Sequence, residues 1–176
     1  MKTLVIYKSQ SGFVKKYAEW ISQELKADIF ESSKVNSKML MNYNTIIYGG
    51  GLYAVGISGV NLIKKNLDKL KGKKVVVFGT GASPYREDII NDVKNRNFTA
   101  EQQKHIRFFY LRGGFDYNKL KPFYKLLMKL MKSILEKKKE LTSDEKGMLD
   151  AYSNPADFTD KENIKELISY VNSSEK

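Results

Sequence analysis

Residues 3–25 read TLVIYKSQSGFVKKYAEWISQEL, and the fold turns on the middle of that stretch. Thr3 to Tyr7 is a short apolar run rich in β-branched residues, as expected of a strand covered on both faces. From Gly12 to Leu25 the period changes, and Val14, Tyr17, Ala18, Ile21 and Leu25 share one face of a helix. Ser9, Gln10, Ser11 and Gly12 lie between. A strand that passes straight into a helix through small polar residues opens a parallel α/β unit. Its turn sits beyond the carboxyl end of the strand, where such sheets bind ligands.

The rest of the chain repeats the alternation. Further strands are expected at Ala27 to Glu31, Thr45 to Gly49, Lys74 to Gly79 and Ile106 to Leu111. Asn36 to Asn44 is expected to form a short helix or loop. Ser58 is placed to cap a helix that turns Val60, Ile63, Leu67 and Leu70 inward and stops at Gly72. A weaker helix covers Glu87 to Lys94. Thr159-Asp160-Lys161-Glu162 matches a capping box before a last helix with Ile164, Leu167, Ile168 and Val171 inward. Five strands with helical crossovers predict a doubly wound parallel sheet of order 2-1-3-4-5. The 176 residues are expected to form a single domain, 1–176.

Apolar residues make up 41% of the chain, enough for a sizeable core, and prolines number only three. There is no cysteine, which excludes disulfides, thiolate nucleophiles and Cys-based metal sites. The first apolar run is too short for a secretory signal, and no window holds the ~18 uncharged apolar residues of a membrane span. A cytoplasmic location is expected. The formal charge of +11 points to an anionic partner such as a membrane face, a nucleic acid or an acidic protein. No helix-turn-helix, RNA-recognition or zinc pattern supports nucleic acid, and none is expected as a partner.

Free N–H groups at the start of the first helix, Gly12 and the hydroxyls of Ser9 and Ser11 make a phosphate cradle. The other reading is a plain turn in which a serine caps the helix. A Walker-type loop is excluded because Phe13, not lysine, follows Gly12. A receiver domain would need carboxylates after the first strand, and Tyr7, Lys8, Ser9 and Gln10 supply none. Two more glycine-rich stretches reach the same edge, YGGGLYAVGISG after the third strand and GTGASPYRED after the fourth. Together the three would surround one crevice for a flat, polar-edged ring, with Tyr53 or Tyr85 stacked on its face. Read singly, each glycine only makes a tight turn.

The order of elements, the SQSGFV turn and the GGGLYAVG and GTGAS segments resemble a flavodoxin-type FMN-binding domain. Val14 stands where flavodoxins usually carry the last threonine of the phosphate turn. The resemblance implies a flavodoxin-like α/β fold with FMN as cofactor. It places the cofactor on Ser9, Gln10, Ser11, Gly12, Phe13 and Val14, on Gly50, Gly51, Leu52, Tyr53 and Ala54, and on Thr80, Gly81, Ala82 and Ser83. After the fifth strand, LRGGFDYNKLKPFYKLLMKLMKSILEKKKELTSDEKG is similar to the insertion of menaquinone-dependent protoporphyrinogen dehydrogenases. Gly113, Gly114, Tyr117, Phe123, Tyr124 and the Leu/Met/Lys run from Leu127 to Lys132 carry that likeness. So does DFTDKENIKEL at the start of the last helix. It implies oxidation of protoporphyrinogen IX, a tetrapyrrole, with a membrane quinone as acceptor in haem biosynthesis. Gly114 and Tyr117 would then contact substrate.

The insertion, at about 113–147, is also legible physically. Residues 119–139 hold eight lysines and one glutamate, a net of +7. Leu120, Phe123, Leu127, Leu130, Met131, Ile134 and Leu135 recur at helical spacing, with Tyr124 and Met128 beside them and Pro122 fitted to a first turn. Such a helix suits a peripheral position on an anionic membrane, at the inner face of the plasma membrane. Alternatively its stripe packs on the domain, or pairs in a homo-oligomer.

His105 has no second histidine or cysteine near it in sequence, and Glu87 and Asp88 read as helix-start acids. No catalytic residue and no metal is expected. Acid–base groups are scarce, which suits a protein whose cofactor carries the electrons. Four readings stand: an FMN-dependent dehydrogenase, a flavodoxin-type electron carrier, an FMN-dependent quinone or NAD(P)H reductase, and a flavodoxin-like scaffold that has lost its cofactor. Carrier flavodoxins are usually acidic, which this chain is not.

Overall fold

The computed structural model describes residues 2–53, 55–120 and 122–173, and for 124, 144 and 148 the side chains lie outside that description. Among the described residues, eight strands and eight α-helices follow one another, with short 3-10 turns between. The strands are β1 (Thr3–Lys8), β2 (Asp28–Glu31), β3 (Thr45–Tyr53), β4 (Gly56–Ile57), β5 (Lys74–Gly81), β6 (Arg107–Arg112), β7 (Gly114–Phe115) and β8 (Ala156–Asp157). The helices are α1 (Phe13–Leu25), α2 (Ser37–Met41), α3 (Asn61–Lys64), α4 (Glu87–Asn97), α5 (Ala100–Gln103), α6 (Pro122–Glu136), α7 (Ser143–Ala151) and α8 (Lys165–Asn172).

The sheet runs β2-β1-β3-β5-β6, all parallel, which is the flavodoxin-like order expected for five parallel strands. β4 adds a two-residue antiparallel hairpin to the end of β3, and β7 pairs with β8 apart from the main sheet. Alternate strand residues feed two cores. Leu4, Ile46, Tyr48 and Val77 pack with Leu40, Ile63, Leu70 and Val93 on one face. Val5, Ile47, Val76 and Phe78 pack with Tyr17, Ile21, Leu167 and Val171 on the other. Parallel strands covered twice leave no polar alternation, which is why they read as continuous apolar runs.

Tyr17 is the buried knot of the second core. Its hydroxyl donates to the Arg112 carbonyl at 2.5 Å and accepts from Asn163 Nδ2 at 2.9 Å and Asp160 N at 3.3 Å. One phenol thus ties α1, the end of β6 and the approach to α8.

Three expectations need correction. Ser58 caps no helix: α3 starts after Val60 without a side-chain cap, and Ser58 donates its N–H to Gly51 O while its carbonyl accepts from Tyr48 Oη. The single helix expected through Leu70 breaks in two. Asn66 is buried, and its Nδ2 donates to Leu62 O at 2.8 Å, satisfying a carbonyl that a continuous helix would have used. Leu67–Leu70 then forms a 3-10 turn that ends before Gly72 at φ +82°. Thr159 forms no capping box either. Its N–H and Oγ1 both bond Asp157 Oδ1, at 2.9 and 2.6 Å, and Asp160 caps the following turn through Glu162 N.

A crevice at the carboxyl edge of the sheet

The carboxyl ends of the central strands stand level with one another. Lys8 pairs with Gly50, Gly51 with Thr80, and Gly81 with Arg112. The turn Ser9–Gly12 and the segments after β3 and β5 therefore meet at one edge.

In the first turn Gly12 adopts φ +95°, a conformation that β-carbon sterics deny most residues, and it precedes α1 directly. A Cβ there would touch nothing within 4 Å, so the demand is conformational and not one of space. Ser9 Oγ accepts from Gly12 N at 3.1 Å, which leaves the Ser9 hydroxyl hydrogen to donate elsewhere. Phe13 and Val14 bury their side chains, so only their backbone N–H groups serve the turn. Among the described residues, the buried side-chain atoms without a hydrogen-bond partner include Gln10 Oε1 in this turn and Thr80 Oγ1 at the end of β5. Thr45 Oγ1 is a third such atom, at the amino end of β3; the two at this edge suit a polar ligand.

The glycines at the ends of β3 and β5 divide between tasks. Gly49, Gly50, Gly51, Gly79 and Gly81 lie within the strands, which run further than their apolar cores indicated. Gly50 faces away from α1, and a Cβ there would stand 2.6 Å from Ser58 O and 2.7 Å from Ile57 Cγ2, beneath the β4 hairpin. Leu52 shares that face and lies over Gly79 and Gly81. Gly51 faces the α1 side, with the Tyr53 ring and Val14 as its neighbours. Ala54 lies outside the described residues. The close-packed glycines thus hold the edge together, while Gly51 and Tyr53 stand beside the first turn.

β6 anchors the segment after β5. Tyr110 Oη donates to Ser83 O at 2.5 Å, and Arg112 Nε donates to Ala82 O at 3.3 Å. Burial pushes the Tyr110 phenol up to about 12, so it stays a neutral donor. The Arg112 guanidinium also lies 3.9 Å over the Phe158 ring. Asn97 fixes the other wall: it accepts from Ile57 N at 2.9 Å and donates to Val55 O and Val93 O, both at 2.7 Å. The sequence did not single out Tyr110, Arg112 or Asn97. For Arg112 the signal was its place at the end of a strand entering GG.

Gly114 packs against the Phe13 ring, and Tyr117 belongs to a separate aromatic cluster. A Cβ on Gly114 would collide with the Ala156 carbonyl and stand 2.7 Å from the Phe13 ring, so this residue lets β8 and α1 approach. The Tyr117 ring meets that of Tyr152 at 5.4 Å with the planes tilted by 42°, and the Tyr117 hydroxyl donates to Lys125 O at 3.4 Å. Tyr152 also meets Phe115 at 5.7 Å. That aromatic cluster joins β7 to α6 and α7. Lys16 Nζ donates to Asp157 Oδ2 at 3.0 Å, which straps β8 across α1. Burial alone would raise the Asp157 carboxyl, but hydrogen bonds from Thr159 and the Lys16 cation hold it below its ordinary value. His105 sits at the opposite, amino edge, 3.7 Å from Glu101.

These residues fit FMN. A phosphoryl group in the turn would meet N–H and hydroxyl donors and no carboxylate. The buried Gln10 and Thr80 oxygens match the hydroxyls of a ribityl chain.

Residues 4–142 match the family model described as a flavodoxin domain. An uncharacterized protein of Methanocaldococcus jannaschii is 29% identical over 126 residues, covering 70% of this chain and 83% of that protein. Among solved structures, a putative flavoprotein from Bacteroides eggerthii is similar with a TM-score of 0.45 at 17% identity, over 62% of this chain and 85% of the other. A flavoprotein in complex with FMN from Lactobacillus acidophilus gives 0.40 at 21% identity, over 63% and 91%.

Proposed function

This chain belongs to the flavodoxin-domain family, and we propose that it is an FMN-dependent oxidoreductase. Family membership supports FMN as its cofactor. The observation that carries the reading is the pair of unsatisfied buried oxygens, Gln10 Oε1 and Thr80 Oγ1, beside a turn built around Gly12 at φ +95°.

When bound, FMN supplies the electron and hydride chemistry. The chain's own residues bind and orient it. The Ser9 and Ser11 hydroxyls and the N–H groups of Ser11, Phe13 and Val14 would hold the phosphate, with Gln10 and Thr80 along the ribityl chain. Gly51 and Tyr53 would border the ring from one side, with Ala82 and Ser83 from the other. Tyr110 and Arg112 act through those last two residues by pinning their carbonyls. Among the described residues, no group of three or more His, Cys, Asp or Glu side chains stands where it could hold a metal ion.

The finer reading is that the donor is protoporphyrinogen IX and the acceptor a membrane quinone. The likeness of residues 113–147 to the protoporphyrinogen dehydrogenase insertion supports it. So does the basic charge, since lysines near a cleft suit the carboxylates of a porphyrin. The alternative is a flavodoxin-type electron carrier, favoured by the scarcity of acid–base groups around the crevice. Anaerobic mixing of the FMN-loaded protein with protoporphyrinogen, then with menaquinone, separates the two. The dehydrogenase bleaches with the first and recovers its colour with the second over repeated turnovers. A protein that stays oxidised with protoporphyrinogen, yet exchanges electrons with a protein reductase, is a carrier.

A further inference from the structure

Helix α6 is fastened to the domain by its polar side. Lys125 Nζ lies 5.8 Å from the Tyr117 ring centre and Lys132 Nζ lies 5.5 Å from that of Tyr152. Tyr152 Oη donates to Met128 O at 2.6 Å, and Leu135 is buried on the same flank. The side turned away from the domain carries Phe123, Leu126, Leu127, Leu130, Met131 and Ile134, each exposed by between 43 and 69%. At 100° per residue these six span an arc of about 140°. An amphipathic helix that docks by its polar side leaves its apolar side for another surface.

We propose that this face lies on an anionic lipid bilayer, with the helix axis parallel to the surface. Charge selects lipid over a second copy of the chain. Residues 119–139 carry a net +7, and joining two such faces would bring those segments together against their mutual repulsion. An anionic headgroup layer is complementary to them instead. Lys129 is exposed on the flank between the apolar arc and the docked side, while Lys125 and Lys132 lie opposite the arc with their ammonium groups over tyrosine rings, still within about a Debye length of a surface under the arc. Length agrees: 15 residues make a helix of about 22 Å, suited to lying in the interface. Among the described residues no helix is long and apolar enough to cross a membrane.

The test is co-sedimentation of the full-length protein with phosphatidylglycerol or phosphatidylcholine vesicles, alongside the double variant Leu130→Asp, Ile134→Asp. Both substituted side chains are already exposed, so circular dichroism should be unchanged. The wild type should bind phosphatidylglycerol about tenfold better than phosphatidylcholine, and binding should weaken as salt rises. The double variant should bind phosphatidylglycerol about tenfold less. No binding by the wild type would overturn the proposal, as would equal binding by the variant. A wild-type dimer by light scattering that the variant dissolves would overturn it in favour of a second copy. FMN content, measured on the same samples, reports separately on the redox reading.

Discussion

Helices α1 and α6 are written in the same pattern and used in opposite ways. Each is a three- to four-turn amphipathic helix with aromatic and aliphatic residues on one face and lysines on the other. α1 buries Val14, Tyr17, Ala18 and Ile21 against the sheet, with Tyr17, Ala18 and Ile21 fully inaccessible. α6 buries Leu135 and turns six large apolar side chains outward. Periodicity shows that a helix has an apolar face, but not what covers it. For α1 the cover is supplied by β1, which precedes it in sequence, and by β3, its neighbour in the sheet. For α6 the domain offers an aromatic patch of Phe115, Tyr117 and Tyr152, and lysine ammonium groups and a backbone carbonyl engage that patch.

Substitutions put this contrast at risk. Ile21→Ala should cost about 2–5 kcal/mol in urea unfolding, because it opens a cavity in a closed core. A loss near zero would mean that α1 is as loosely covered as α6. Tyr17→Phe should cost about 0.5–1.5 kcal/mol, since it removes the hydroxyl that bonds the Arg112 carbonyl, Asp160 N and Asn163 Nδ2. Chemical shifts at Arg112 and Asn163 should move while those of α6 stay put.

A smaller effect depends on pH. The Asp157 carboxyl is held below its ordinary 3.8, so it stabilises the folded strap above that pH. The contribution is lost as pH falls through the lower folded value. Asp157 and Lys16 are both about half exposed, so the wild type should exceed Asp157→Asn by at most about 1 kcal/mol at neutral pH. The two should converge in acid below pH 3.8. A difference that persists there would assign the strap's hold to the Thr159 hydrogen bonds alone. Ile134→Asp should be smallest, within about 0.5 kcal/mol in the absence of lipid. A large loss would show that the outer face of α6 is covered after all.

Much of the sheet was legible because its strands are continuous apolar runs punctuated by turn residues. The strand ends were not: Gly50 to Tyr53 and Thr80 to Gly81 read as loop but continue the ladder, with the β4 hairpin over Gly50 and Leu52 over Gly81 in the space a side chain would fill. Caps were legible by pattern and not by place. The Thr-x-x-Gln/Glu spacing occurs at Thr99, Thr142 and Thr159, and the first two form capping boxes with Gln102 and Glu145. The third fails because Asp157 takes both Thr159 donors. For the crevice, sequence located the first turn and the two strand ends that join it. The anchors Tyr110, Arg112 and Asn97 were hidden because their roles depend on register across the sheet and on a helix 40 residues from the hairpin it holds.

The functional reading rests on the turn at Gly12 and the ends of β3 and β5 forming one FMN site. Titration of cofactor-free protein with FMN, followed by flavin fluorescence and the visible spectrum, checks this beside a Gly12→Val variant. The wild type should take up one FMN per chain with quenched emission. The variant should lose at least about 100-fold in affinity, because a β-branched side chain forces the turn out of its left-handed conformation. Unchanged FMN binding by Gly12→Val, or no binding by the wild type at saturating FMN, would contradict it.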